Sequence, residues 1–212
     1  GLIEGERVVA RGAFKIDSAV QIQTGGGMMA RSGADRSTVS GAPAEWAPRP
    51  WPAPAEFLGR LNRALDPYFV IGAALSHDGM DGVRTASRQM LVALEQVDDF
   101  RLDEAIRRGW RDLRADLGAA IQTLEGVSEL ADARSAFDQL SQQWIETVNA
   151  FGGAMDGSVY LYHCPMAFGG RGAEWLQLSE GTENPYYGST MFRCGTLEKT
   201  WMGREGEAWP HE

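Results

Sequence analysis

Four apolar stripes between residues 55 and 152 constrain this chain more than any other feature of its sequence. Phe57, Leu58, Leu61, Leu65, Tyr68 and Phe69 recur at helical spacing behind Pro54, a residue suited to the first turn of a helix. Val83, Ala86, Met90, Leu94 and Val97 form a second stripe, and Leu102, Ile106, Trp110, Leu113, Leu117, Ile121 and Leu124 a third. Leu130, Ala133, Phe137, Leu140, Trp144, Val148 and Phe151 form the fourth, with Ser128 the expected N-cap and Gly152-Gly153 the expected stop. Each stripe backs onto a polar face, so each helix has one side to bury. The connections, His77 to Gly82, Asp98 to Arg101 and Gly126 to Ser128, are short. Short links join antiparallel neighbours, which predicts an up-down-up-down bundle over residues 55–152.

The pattern changes on either side. From 153 to 212 helical periodicity stops, while Gly and aromatic residues rise. Ser158–His163 and Ala173–Leu178 are strand candidates, with Gly170-Arg171-Gly172 turning between them. Asn184-Pro185-Tyr186-Tyr187-Gly188 is a further turn, and the tail after Lys199 has no readable pattern. Before the helices, Arg7–Ala10 and Ala13–Ile16 predict a short β segment within residues 1–33. Residues 34–54, with Pro43, Pro48, Pro50, Pro52 and Pro54, predict an extended linker. Trp46 and Trp51 are expected to pack that linker onto the next domain. The expected class is α+β: an antiparallel four-helix bundle followed by a small Gly- and aromatic-rich β unit, with a short N-terminal β segment.

Charge and composition exclude some functions. The 212-residue chain carries a formal net charge of -9, which argues against nucleic acid, whose phosphates need clustered Lys and Arg. The longest apolar run, Tyr68 to Leu75, is too short to span a bilayer. No Ser-His-Asp or Cys-His set has a recognisable context, and Gly25–Gly27 and Gly169-Gly170 lack a nucleotide-binding setting, so no enzyme is expected. Asp78-Gly79-Met80-Asp81-Gly82 has a faint look of a calcium loop but lacks the closing Glu. Loop chemistry explains it better, and His77 reads as a surface loop residue.

The chemistry concentrates near the C-terminus. Both cysteines sit beside methionines, in Cys164-Pro165-Met166 and Met191-Phe192-Arg193-Cys194. Two thiolates with two thioethers form a soft donor set that selects Cu(I) or Ag(I) over harder ions. The candidate metal ligands are therefore Cys164, Met166, Met191 and Cys194. His163 joins them only where the chain bends at Pro165, because a regular strand points it away from Cys164. A zinc site on Cys164, Cys194 and His163 lacks an identifiable fourth ligand. The competing reading is a structural Cys164–Cys194 disulfide, worth about 3–4 kcal/mol on the chain-entropy estimate, with no metal and a protein-interaction role. A redox switch between the two states is also open.

Two stretches resemble known families. Gly1-Leu2-x-x-Gly5-x-Arg7-Val8-Val9, followed by Gly12-Ala13-Phe14-Lys15-Ile16-Asp17-Ser18-Ala19, resembles the last strands of the membrane-proximal domain of periplasmic adaptor subunits (membrane fusion proteins). Those adaptors serve heavy-metal efflux pumps of the resistance-nodulation-division class. His163-Cys164-Pro165-Met166-Ala167, Gly172-Ala173-Glu174-Trp175-Leu176, Asn184-Pro185-Tyr186-Tyr187-Gly188 and Met191-x-x-Cys194-Gly195 together resemble an uncharacterised C-terminal domain appended to copper and silver efflux adaptors. The resemblance implies a periplasmic location. In the full-length adaptor it implies two partners, an inner-membrane pump and an outer-membrane channel.

Overall fold

The computed structural model describes residues 50–152 and 157–202. The N-terminal β segment, Trp46, Gly153 and Trp209 lie outside the described residues. Four helices follow one another: α1 (Ala55–Ser76), α2 (Val83–Glu95), α3 (Glu104–Gly126) and α4 (Leu130–Phe151). They form the expected antiparallel bundle, α1 beside α2, α2 beside α3 and α3 beside α4. Among the described residues no helix is long and apolar enough to cross a membrane.

The stripes become the core. Tyr68, Met90, Trp110, Phe137 and Trp144 are all fully buried. Tyr68 stacks on Phe137 with ring centroids 4.8 Å apart, and Phe57 meets Trp110 edge-on at 5.3 Å. The Trp144 indole N–H donates to the Met90 sulfur at 3.4 Å, so Met90 both fills space and satisfies a buried donor. Trp51 closes the end of the bundle, edge-on to Phe151 at 5.4 Å, its amide donating to the Ala150 carbonyl at 2.7 Å.

Helix boundaries depart from expectation: Val97 of the second stripe and Leu102 of the third lie outside α2 and α3. The N-cap of α4 is Glu129, one residue after Ser128, and no side chain caps it. Pro67 lies buried inside α1, where its missing N–H removes one rung of the helical ladder. The surrounding core holds α1 helical through it. The expected stop at Gly152 is present, with left-handed φ of 75° and its amide on the Val148 carbonyl.

A three-stranded antiparallel sheet follows: β1 (Val159–Cys164), β2 (Ala173–Gln177) and β3 (Thr196–Trp201), in the order β2-β1-β3. The first two match the expected strands to within a residue at either end. The third had no signal in the sequence because five of its six residues are exposed and no alternation marks it. Between β1 and β2 a helical turn at Ala167–Gly170 is broken by left-handed backbone at Phe168 and Gly169. Phe168 at φ 52° is a strained position for a bulky residue. Arg171 holds it, its guanidinium 4.8 Å from the Phe168 ring and 2.6 Å from the buried Asp138 carboxylate on α4.

The sheet docks on the bundle through tyrosine hydroxyls. The Leu176 amide, on the edge of β2 away from β1, donates to the Tyr68 hydroxyl at 3.0 Å. That hydroxyl also bonds Ser141 of α4 at 2.8 Å. The Tyr186 hydroxyl donates to the Glu174 carbonyl on the same edge and lies 3.4 Å from Ser141 Oγ. Burial pushes both phenols above their usual range, so both remain neutral donors and acceptors.

A second junction pins the loop after β2. Arg134 of α4 donates to the Pro185 carbonyl at 2.9 Å, the Leu75 carbonyl at 3.1 Å and the Asp78 carboxylate at 2.6 Å. Asp78, in the α1–α2 connection, also accepts the Ser189 amide at 3.0 Å. The supposed calcium-loop carboxylate is therefore committed to an arginine and a backbone amide. Gly188 passes so close that a Cβ there would collide with Asp78 and Arg134.

Two outcomes follow. Tyr68→Phe leaves the buried Leu176 amide without its partner and takes from Ser141 the shorter of its two tyrosine contacts, leaving it the Tyr186 hydroxyl at 3.4 Å. It should cost about 1–3 kcal/mol in urea denaturation, and a cost under about 0.5 kcal/mol would mean that the hydroxyl does not hold the sheet. Ser189, through its hydroxyl and its amide, and the Arg134 guanidinium hold the Asp78 carboxyl down from 3.8 to about 2. A lowered folded value means stability present above the unfolded value and lost as pH falls through the folded one. Wild type should therefore lose this contribution between about pH 4 and pH 2, and Asp78→Asn should flatten that limb of urea midpoint against pH.

Candidate functional site

Strand register brings the two cysteines together. His163 of β1 pairs with Thr196 of β3, so the next position along β1, Cys164, comes level with the residue before β3, Gly195. Cys194 lies one residue further on, in a tight turn closed by its own amide on the Met191 carbonyl at 2.9 Å. The two Sγ atoms stand 3.6 Å apart, and both are free thiols.

The turn is held from several sides. Asn184 is fully buried and uses every polar group it has. Its side-chain N–H donates to the Cys194 carbonyl at 2.8 Å, and its side-chain oxygen accepts the Tyr186 and Tyr187 amides. Its own amide donates to the Phe192 carbonyl at 2.9 Å, and its carbonyl accepts the Gly188 amide at 3.1 Å. The Asn-Pro-Tyr-Tyr-Gly turn expected from sequence is thus the support of the cysteine turn. Gly195 packs so closely that a Cβ would stand 2.7 Å from the Trp175 ring. His77 meets the Phe192 ring at 5.2 Å, while its Nδ1 is engaged with the Ala73 carbonyl.

The two cysteines are not equivalent. Cys164 is fully buried at the end of the central strand, whereas Cys194 is half-buried in the turn. Desolvation, together with the Cys164 thiol beside it, pushes the Cys194 thiol up. Both causes disfavour a lone thiolate, and a cation held between the two sulfurs would offset them, because metal binding requires the deprotonated form.

The other sequence candidates are placed differently. Met191 is half-buried and opens the same turn that Cys194 closes. Met166 is 51% exposed, its carbonyl accepting the Tyr187 hydroxyl at 2.7 Å. His163 lies within the paired part of β1, between Glu174 and Thr196, so the pleat turns it to the face opposite Cys164. Its Nε2 rests against Gly172, where a Cβ would come within 2.6 Å. Among the described residues no three His, Cys, Asp or Glu side chains converge as a metal set. Sequence reasoning missed Asn184, Asp78 and Arg134 as supports of the cysteine turn. Arg134 and Asp78 lie 56 residues apart, with no motif to join them.

The sulfur separation bears on what would fit. With metal–sulfur bonds of about 2.3 Å, sulfurs 3.6 Å apart subtend about 100° at the metal. A linear two-coordinate ion would need them roughly 4.6 Å apart. The pair as it stands therefore suits a bent centre with one or two further soft donors. Met191 in the same turn and Met166 beside Cys164 are the thioethers nearest in sequence.

Comparison with known proteins bears on the helical part of the chain. Residues 64–156, from the middle of α1 to just past α4, are similar to a family described as "Protein of unknown function (DUF3347)". No curated protein and no solved structure matches the chain.

Proposed function

We propose that this chain is a soft-metal binding module that takes Cu(I) or Ag(I) between Cys164 and Cys194. In this reading it belongs to a periplasmic heavy-metal efflux adaptor and hands the ion on to the pump. The observation that carries the reading is the thiol pair, held 3.6 Å apart by strand register on one side and by Asn184 on the other. Two converging thiols are a soft donor pair, and thioethers complete such a set without adding charge. Met191 and Met166 are the thioethers proposed to complete it. His163 is left out, because strand pairing turns it away from Cys164. The exposure of Met166 and the half-exposure of Cys194 give an ion a way in and out. Adaptor membership and periplasmic location rest on the sequence resemblances at residues 1–19 and 163–195.

The test is an anaerobic titration of Cu(I) into the reduced chain against a chromogenic Cu(I) chelator. Wild type should withhold about one equivalent, and Cys194→Ser should abolish that. Met191→Leu should weaken it by about tenfold or more, the scale on which even outer-shell partners act. Equal competition by wild type and Cys194→Ser would remove the thiol pair as a metal site.

A further inference from the structure

We propose that Cys164 and Cys194 are a reversible dithiol–disulfide couple, entered by small external disulfides at Cys194 and completed by Cys164. The couple belongs to the metal-free chain and holds whether or not the pair also binds an ion. Three observations carry it. The sulfurs are within van der Waals reach at 3.6 Å, and a bond needs them to close by only about 1.5 Å. The pair is asymmetric, with Cys164 fully buried and Cys194 half-exposed, so an external reagent meets Cys194 first. The two backbones are also held differently. Cys164 is paired to Ala173 at the end of the central strand, whereas Cys194 sits in a turn fixed chiefly by its own amide and Asn184. The closing movement therefore falls on the Cys194 turn.

The steps balance with a low-molecular-weight disulfide, RSSR, as oxidant. The Cys194 thiol loses its proton to solvent, and its sulfur attacks RSSR, giving Cys194–S–SR and releasing RS⁻. The Cys164 sulfur, losing its own proton, then attacks Cys194 Sγ. The Cys164–Cys194 bond forms and a second RS⁻ leaves. Two thiols are oxidised, one external disulfide is reduced to two thiols, and an excess of RSH reverses both steps. The oxidised chain has no thiolate to offer a soft cation, so oxidation and metal loading exclude one another.

The experiment uses the metal-free 212-residue chain in anaerobic glutathione/glutathione disulfide mixtures, with thiols trapped by alkylation and mapped by peptide mass. Wild type should pass reversibly from two free thiols to one intramolecular bridge, without disulfide-linked dimers. Cys164→Ser should accumulate glutathione on Cys194, while Cys194→Ser should leave Cys164 at least ~10-fold less modified. Should Cys164→Ser fail to fold, early time points of wild type replace it, and the mixed disulfide should map to Cys194. Retention of both thiols across the mixtures, bridging between chains, or a mixed disulfide at Cys164 would each overturn the proposal. A metal-blind chain that forms the bridge would refute the metal reading alone.

Discussion

The hydroxyls of Tyr68 and Tyr186 are the constraint on which the C-terminal half depends. Of three short strands, β3 is exposed at five of its six residues, so the sheet relies on packing against the helices. The sheet is ordered because its β2 edge finds partners on the bundle: the Leu176 amide on Tyr68, the Glu174 carbonyl on Tyr186, and Ser141 of α4 between the two phenols. A buried amide or carbonyl without a partner costs more than an ordinary hydrogen bond returns. The two phenols therefore fix where the sheet sits as well as holding it there. β1 takes its place beside β2, β3 takes its place beside β1, and the meeting of the two cysteines follows from that register.

The helices were legible because periodicity reports burial. Residues such as Trp110, Phe137 and Trp144 appear on their stripes and are buried where the stripes put them. Pro67 shows the limit of local rules: packing carries α1 through a residue that propensity would place at an end. The β unit was legible where its residues alternate or turn, as in β1, β2 and the Asn184 turn. β3 was illegible because it is almost wholly exposed and irregular in register, with Glu198 unpaired between Leu197 and Lys199. The cysteine–methionine pairings suggested that the two segments meet, but the strand that brings them together was the one without a signal. The Asp78–Arg134 pair was invisible for another reason, since a contact between a loop and a distant helix leaves no periodic trace.

The site divides its work between a fixed and a supported half. Cys164 is set by strand pairing, which also decides that His163 faces elsewhere. Cys194 is set by a loop in which Asn184 reaches the carbonyl of Cys194, the amides of Tyr186 and Tyr187, and the backbone of Phe192 and Gly188. Gly188 and Gly195 matter there because neighbours approach too closely for a side chain. The bundle reaches the same loop through Asp78, Arg134 and His77. A change far from the sulfurs in sequence can therefore alter their separation.

The unpaired Glu198 has a consequence for how such modules behave when crowded. β3 is an outer strand, and a regular outer strand is a template on which a second chain can grow a sheet. Here the bulge breaks the spacing of the backbone groups, and Glu198 and Lys199 set charges along the strand. Lys199 is further occupied, reaching Asn149 of α4 at 2.7 Å and lying 4.4 Å from the Trp201 ring. The irregularity that hid β3 in the sequence is thus a guard against aggregation through strand addition.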